Sequence, residues 1–300
     1  MRRKRNLIVA GVCLYLMIAP FALPNILSIK FFGGAGNLPR GGDFKELFES
    51  TAQRWKDVGL SGSFDLDYSP WFYEGGIQAV FQLTPNFGLC FGAGYISKIW
   101  KQSPHIEYNW GGAATFDSQN KYDVQSIPLT LDAVVTIPFR GFSFNIFGGG
   151  GYYLTRVNFT EDSQYSEPSR ASQPNWKWHF RSDFASGQKA KLGFQFGAGF
   201  EVSLSSRVNI FIEGLYRLVE ISSFQGPLTI LSSQTWTGGN ENDDDEQGNA
   251  IMWYETSNIS GRIYHYMEAW ETKPPWADSA REFKVSLDGI SLRLGIRIGI

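Results

Sequence analysis

The chain has 300 residues, of which 43% are hydrophobic and 19% charged, and its formal net charge is −2. This charge balance excludes the basic footprint that nucleic-acid binding needs, so no nucleic-acid partner is expected. Glycine (33 residues) and aromatic residues (16%) are both abundant, which favours strands with close backbone approach over a helical bundle.

The N-terminal segment has the features of an export signal. A cationic stretch, Arg2 to Arg5, precedes an apolar run from Leu7 to Ala22 that contains Pro20. The run is shorter than the roughly 20 residues that span a bilayer. We therefore predict a cleavable Sec signal peptide over residues 1–28, ending at the small Ser28, with a retained anchor as the alternative. The mature chain would keep one cysteine, Cys90, which excludes an intramolecular disulfide.

Strict alternation of apolar with small or polar residues predicts antiparallel strands, because successive strand side chains point to opposite faces. The clearest segment is 189–205, where every even position from Ala190 to Leu204 is apolar. Eight segments follow this pattern in chain order: 29–38, 71–83, 87–95, 126–139, 142–155, 189–205, 208–218 and 289–300.

The connections between these segments alternate in length. Tight turns are predicted at 84–86, 140–141 and 205–207, whereas long loops are predicted at roughly 39–70, 101–121, 160–188 and 222–282. Short turns on one side and long loops on the other are the plan of outer-membrane barrels.

The first long connection contains a predicted helix. Asp43 and Glu46 have the spacing of a capping box, and Gly59 can end the helix. Its apolar face would carry five residues at helical spacing: Phe44, Leu47, Phe48, Trp55 and Val58. Two roles are open for this face, packing over the rim of the sheet or contact with lipid headgroups or a partner.

A bilayer core offers no water to satisfy backbone polar groups, so a sheet that spans it must close on itself. The long apolar rows would then face lipid, and the small and polar rows would face a narrow lumen. A soluble β-sandwich is the alternative, but it would rarely need apolar rows of this length. The expected fold is therefore all-β: an eight-stranded antiparallel transmembrane β-barrel over residues 29–300, with long extracellular loops and a short helix in the first loop.

Several short motifs resemble those of the small outer-membrane-protein β-barrel superfamily, of the OmpA, OmpX and OmpW kind. They are Ile127–Leu131, the glycine-rich Phe147–Tyr152, and Phe196–Phe200 in the hairpin that ends at Glu213-Gly214. The C-terminal Gly295, Ile298 and Ile300 resemble the signal read by the barrel assembly machinery, although that family usually ends in an aromatic residue. The resemblance implies a bacterial outer-membrane location, with outer-membrane lipid and that machinery as partners.

Charged residues at inward positions form the candidate site. A conduction path is one interpretation, and a plug of paired charges is the other, because eight strands leave an interior just wide enough for side chains. The predicted lumen charge network consists of Glu74, Asp132, Glu201, Glu213, Arg217, Arg293 and Arg297.

Other candidate sites are weaker. His105, His179 and His265 fall in three different predicted loops, each without a second metal ligand at suitable spacing. Asp243–Glu246 lacks the alternation and glycine of a calcium loop. No catalytic residue, metal site or cofactor is predicted. The last connection carries seven aromatic residues that either pack together or form a recognition surface: Trp236, Trp253, Tyr254, Tyr264, Tyr266, Trp270 and Trp276.

These patterns predict a non-enzymatic envelope protein, with a structural role or a surface-binding role through its outer loops toward an extracellular ligand. A narrow channel for small or hydrophobic solutes is the alternative. A lipid-modifying or proteolytic barrel enzyme is less favoured, since no GxSxG element or phosphate loop is present.

Overall fold

The structure, a computed structural model, describes residues 27–39, 41–57, 61–108, 114–170, 172–242, 246–259, 261–275 and 277–300. Nearly all of the predicted signal peptide lies outside these residues, as do Val58, Gly59, Asp243–Asp245 and Trp276. The side chain of Trp55 is likewise outside the described part.

The described residues form one helix, α1 (Phe44–Asp57), and strands with the following bounds: β1 (Leu27–Asn37), β2 (Ser61–Asp67), β3 (Trp71–Thr84), β4 (Phe87–Tyr108), β5 (Ala114–Pro138), β6 (Phe142–Glu167), β7 (Trp176–Ala185), β8 (Lys189–Ser203), β9 (Val208–Leu218), β10 (Glu220–Ile221), β11 (Gln225–Trp236), β12 (Gly239–Asn242), β13 (Glu246–Ile259), β14 (Arg262–Trp270), β15 (Ser279–Glu282), β16 (Val285–Ser286) and β17 (Gly289–Gly299). Every strand pairing is antiparallel. The all-β expectation is confirmed.

One set of strands, here called the ring strands, is linked by pairings that return to their starting point. The order is β1–β3–β4–β5–β6–β8–β9–β17, and β17 pairs again with β1. These are the segments that alternation predicts. β1 begins at Leu27, so Ser28 lies inside a strand opposite Gly299.

Exposure follows the predicted alternation. In β8 the side chain of Phe196 is 54% exposed, whereas neighbouring Gln195 is 3% exposed. In β17 the exposed Leu294 follows the buried Arg293. Outward apolar side chains therefore form a continuous band on the ring strands, here called the apolar belt, and polar or small side chains face the interior.

The three predicted tight turns are present at one end of the ring, here called the turn end. Phe139 N donates to Phe142 O at 2.8 Å, and Leu204 N donates to Val208 O at 2.8 Å. Gly141 has a φ of +91°, a left-handed conformation that side chains with a Cβ rarely adopt. The opposite end of the ring is the extended end.

At the extended end the prediction of long loops is wrong. β4 and β5 continue as strands through most of the predicted loop 101–121, and β6 and β7 occupy most of the predicted loop 160–188. β2 pairs with the end of β4. Beyond Thr155, β6 exchanges its partner β8 for β7, and the sheet goes on through β11 and β13 to β14. The name "head" is used here for these strand ends with β2, β7, β11–β15 and α1.

The head folds because its inner face is apolar. Inward side chains of β4, β5 and β6 meet apolar residues from the last connection in one buried core, which includes Trp100, Tyr122, Phe159, Met252 and Phe283. Burial of such large side chains stabilises the sheet away from the ring, and this is the physical reason that the connections are not open loops.

Helix α1 closes the head between β14 and β2. Phe44, Leu47 and Phe48 are buried in the core, and the ring of Phe44 stacks on Trp100 with centroids 4.3 Å apart. The helix prediction is confirmed, and of its two roles the structure has the packing role. On the edge of β14 that faces the helix, His265 N donates to Ser50 Oγ at 2.6 Å.

The predicted capping pair has other partners. The Asp43 carboxylate accepts hydrogen bonds from Arg281 at 2.7 Å and from Lys284 N at 2.8 Å. Glu46 accepts a hydrogen bond from Tyr254 Oη at 2.6 Å. Both carboxylates therefore tie the start of α1 to the last connection.

Among the described residues, no helix is both long and apolar enough to cross a membrane.

Candidate functional site

The predicted charge network lies inside the ring, and its centre is Glu74 on β3. Arg293 of β17 donates from Nε at 3.0 Å and from Nη2 at 2.9 Å to the Glu74 carboxylate, and Arg217 of β9 donates to the same carboxylate. All three side chains are at most 3% exposed. One carboxylate thus joins two guanidinium groups from strands that are not its neighbours.

Glu213 is neutralised by a residue that the alternation argument missed. Lys30 of β1 donates to Glu213, and both side chains are buried. The Lys30 ammonium also lies 4.3 Å from the ring centroid of Phe211. The signal was present in the sequence, because Lys30 is the polar position between the apolar Ile29 and Phe31.

The remaining two acids have amide partners. Gln195 Nε2 donates to Asp132 Oδ2 at 2.8 Å, and Asn145 Nδ2 donates to Glu201 Oε2 at 3.3 Å. Arg297 approaches Glu201 at 3.4 Å and also donates to Ser28 Oγ at 2.7 Å. Alternation predicted the inward position of Gln195, but it could not predict which acid it would meet, since cross-ring contacts depend on register.

Bulky side chains from the core of the head cover the network at the extended end. Phe72, two residues before Glu74 on β3, is completely buried, and so are Tyr153 and Trp100. Tyr153 Oη donates to Gln195 Oε1 at 3.3 Å, which links this layer to the amide partner of Asp132. The interior of the ring therefore contains a layer of paired charges, with an apolar layer next to it at the extended end.

The three histidines lie on strands of the head, not in loops, and two of them pair with acids on the outward face. His105 Nδ1 is 2.6 Å from Asp117 Oδ1, and His179 Nε2 is 2.9 Å from Asp162 Oδ1. The hydrogen bond and charge of Asp117 raise the pKa of His105 above its ordinary value. His265 stacks on Tyr254.

A groove of about 400 Å³ contains His105, Asp117 and Asp162. The second ring nitrogen of His105 faces Glu107 at 3.7 Å, so both nitrogens face carboxylates and neither is directed at a nucleophile. Within the described ranges, no group of three or more His, Cys, Asp or Glu side chains is arranged to bind a metal ion.

Most of the aromatic residues of the last connection are buried or half-buried. Tyr254 and Tyr264 are buried, Trp236, Trp253 and Tyr266 are half-buried, and Trp270 is exposed. Burial and the nearby Glu46 raise the pKa of Tyr254. Trp270 lines a groove of about 550 Å³ with Glu246 and Glu271. Among the described side chains of this set, it is the one that is exposed.

The predicted assembly signal is on β17 at the turn end. Ile298 and Ile300 are outward and exposed. Gly295 faces inward, where a Cβ atom would lie 2.0 Å from Phe31 O and 2.5 Å from the ring of Phe211. Glycine is therefore required at this position for packing, independently of any role in assembly.

Two outer membrane proteins are among the solved structures that match this chain. The outer membrane protein OprG from Pseudomonas aeruginosa aligns with 91% of this chain and 95% of its own, at 10% identity and a TM-score of 0.38. A major outer membrane protein from Thermus thermophilus aligns with 91% of this chain and 99% of its own, at 13% identity and a TM-score of 0.33. At these TM-scores the fold description rests on the strand pairings alone.

No protein-family model matches the chain, and no curated protein matches it.

Proposed function

We propose that the chain is an integral outer-membrane protein in which the ring strands form an eight-stranded transmembrane β-barrel. In this proposal residues 1–28 direct Sec export, the barrel assembly machinery reads the end of β17, and the head projects outside the cell. The protein is non-enzymatic, with an envelope-structural or surface-binding role carried by the head.

The apolar belt supports insertion in a membrane. On β8 the outward residues Leu192 and Leu204 are 53% and 63% exposed. At about 3.3 Å per residue and a tilt of about 40°, the distance between them spans about 30 Å along the ring axis, which matches a hydrocarbon core. A soluble protein rarely exposes a contiguous apolar surface of this size.

The filled interior is the observation that favours a structural or binding role over conduction. A conduction path needs an open polar row, whereas Glu74 is bonded to two buried arginines and lies beneath the buried ring of Phe72. Breaking these pairs would leave buried charges without partners, which is strongly unfavourable. We therefore do not expect the plug of paired charges to open spontaneously.

Single-channel recording in planar bilayers tests this proposal. We expect no stable conductance from the wild-type protein. Its conductance is compared with that of the double variant Phe72→Ala/Tyr153→Ala, which thins the apolar layer. A steady ohmic conductance of the wild-type protein would support the alternative of a narrow channel.

Surface binding has one specific candidate position, the groove that contains Trp270. Exposed tryptophan rings are enriched at binding hot spots, and Asn249 and Glu271 add hydrogen-bonding groups to the same groove. Pull-down of surface components with the wild-type protein and with Trp270→Ala would test it, and equal recovery by the two proteins would count against this position.

A further inference from the structure

The outward surface of the ring has a groove on one side. It occupies about 610 Å³ and crosses β3 to β6 where small outward residues, Ala79, Ala93 and Gly150, interrupt the larger side chains. Its walls are apolar and include Leu129, Leu131, Tyr152 and Leu192. The shape and polarity fit a hydrocarbon chain.

A polar row lies above the groove on the same strands. Four residues beyond Ala93, Leu129 and Tyr152, toward the head, the outward positions are occupied by Ser97, Gln125 and Arg156, which pair across β4, β5 and β6. The separation is about 13 Å at about 3.3 Å per residue. A lipid of the leaflet on the head side has its headgroup nearer to the head than its acyl chains. The polar row is therefore on the headgroup side of the groove.

Arg156 is held in place without being neutralised. Its Nε donates to Gln125 Oε1 at 2.9 Å, and Gln125 Nε2 donates to Asp123 Oδ2 at 2.9 Å. The Gln125 amide therefore stands between Asp123 and the guanidinium group, and Arg156 itself is exposed. A guanidinium group with free N–H donors is suited to a phosphate.

Two lysines extend the positive surface toward the head. Lys101 and Lys121 are exposed and lie directly opposite each other. The other cross-strand neighbours are Asp67 of β2 for Lys101 and Thr160 of β6 for Lys121. The other side of the ring differs from this positive surface. There, the residue two positions beyond the outward Leu218 is the acidic Glu220, which pairs with Lys284.

From these observations we propose that strands β3–β6 carry a binding site for one anionic lipid of the outer leaflet. One acyl chain occupies the groove, and the phosphate binds Arg156 beneath Lys101 and Lys121. The inference rests on the proposed membrane insertion of the ring strands and adds a defined lipid partner to it.

Native mass spectrometry of the full chain in detergent tests the site with two probes that share dioleoyl chains, phosphatidylglycerol and phosphatidylcholine. We expect the wild-type protein to bind one phosphatidylglycerol about tenfold more tightly than phosphatidylcholine, because the choline cation cancels the net charge of the phosphatidylcholine headgroup. Arg156→Gln should abolish this preference. Ala93→Leu, which fills the groove, should weaken both lipids alike.

Matched controls change residues that do not line the groove. Lys284→Gln removes one exposed cation, and Ala35→Leu enlarges an outward residue outside the groove; neither should change lipid binding. Heat-modifiable migration in electrophoresis shows that each variant is folded. Equal wild-type affinities for the two lipids, or an unchanged preference in Arg156→Gln, would overturn the lipid site.

Two further outcomes have separate meanings. A protein dimer that forms without lipid and is lost in Ala93→Leu would assign the groove to a second copy, and would overturn the lipid site. A folded protein that stays soluble without detergent would overturn the proposed membrane insertion as well.

Discussion

Glu74 holds two buried guanidinium groups in place inside the ring. Removing it in Glu74→Ala would leave Arg217 and Arg293 buried without a counter-ion, and breaking a buried pair in this way costs about 3–5 kcal/mol. We expect that loss in the free energy of unfolding, measured by urea titration in lipid vesicles.

The matched control for Glu74 is Glu220→Ala, because Glu220 pairs with Lys284 on the exposed surface. Exposed pairs are worth about 0–1 kcal/mol. If the two substitutions had the same small effect, the interior charges would not form the network described.

His105 gives a titration that reports its pairing with Asp117. The pair raises the pKa of His105, so its stabilising contribution is fully present below the unfolded-state pKa of about 6.5 and is lost as the pH rises through the folded-state pKa. Asp117→Asn should lower the pKa of His105, as followed by NMR of the ring. Asp162→Asn, which alters the partner of His179, should leave the His105 titration unchanged; an equal shift in both variants would argue against a specific pair.

The charged residues of the network could be predicted from alternation alone, but their partners could not. Glu74 and Arg293 are inward because their sequence neighbours are apolar and outward. Lys30 was missed because the first strand has a weaker pattern, in which Phe32 shares the inward face with a lysine. Contacts across the ring depend on strand register, which a single sequence specifies only through its hydrophobic faces.

At the scale of elements, β8 allows a direct test of which face meets lipid. Phe196 lies near the middle of the outward row and Leu204 at the turn end. Arginine on a lipid-facing position costs about 2–4 kcal/mol at the midplane and about 0–1 kcal/mol near an interface. We therefore expect Phe196→Arg to lose much more unfolding free energy in vesicles than Leu204→Arg.

The control for depth is the inward neighbour of Phe196. Gln195 donates to Asp132, so Gln195→Lys would place an ammonium group beside a carboxylate, and its effect should depend on Asp132 rather than on depth. Equal costs along the outward row would mean that β8 does not cross a bilayer.

The helix α1 is expected to stabilise the head more than the ring. Phe48→Ala removes a buried ring from the core, and such substitutions cost about 3–5 kcal/mol. Limited proteolysis should then cut the head while the heat-modifiable ring survives, whereas Glu49→Ala on the exposed face should have no effect. Simultaneous loss of head and ring would show that they unfold as one unit.

The elements of the head were harder to predict than those of the ring. β11 reads Gln-Gly-Pro-Leu-Thr-Ile-Leu-Ser-Ser-Gln-Thr-Trp and shows no clean alternation of apolar and polar residues. Most of its side chains are half-buried, so neither face of the strand is fully in the core or fully in water. The ring strands carry long outward apolar rows, as the proposed contact with lipid requires, and these rows make the strands recognisable in the sequence.

For the whole molecule, the ring and the head divide the chain into two environments. The outside of the ring is apolar and, in the proposed function, contacts lipid, whereas the head has a buried apolar core. The filled interior connects the two, since Phe72 and Tyr153 belong to the head core and contact the layer of charges beneath it.

This division predicts which residues are reachable from outside an intact cell. The turn between β6 and β7 contains the exposed Ser172, and the tight turns at the opposite end contain Arg140 and Ser206. Single substitutions Ser172→Cys, Arg140→Cys and Ser206→Cys would place a thiol at each end, while the native Cys90 is buried. With a membrane-impermeant maleimide, Ser172→Cys should be labelled on intact cells, and the other two only after the outer membrane is permeabilised. The wild-type chain measures the background from Cys90. Labelling of both ends on intact cells, or of neither, would contradict an outward head on a membrane-spanning ring, and the reverse pattern would place the tight turns outside.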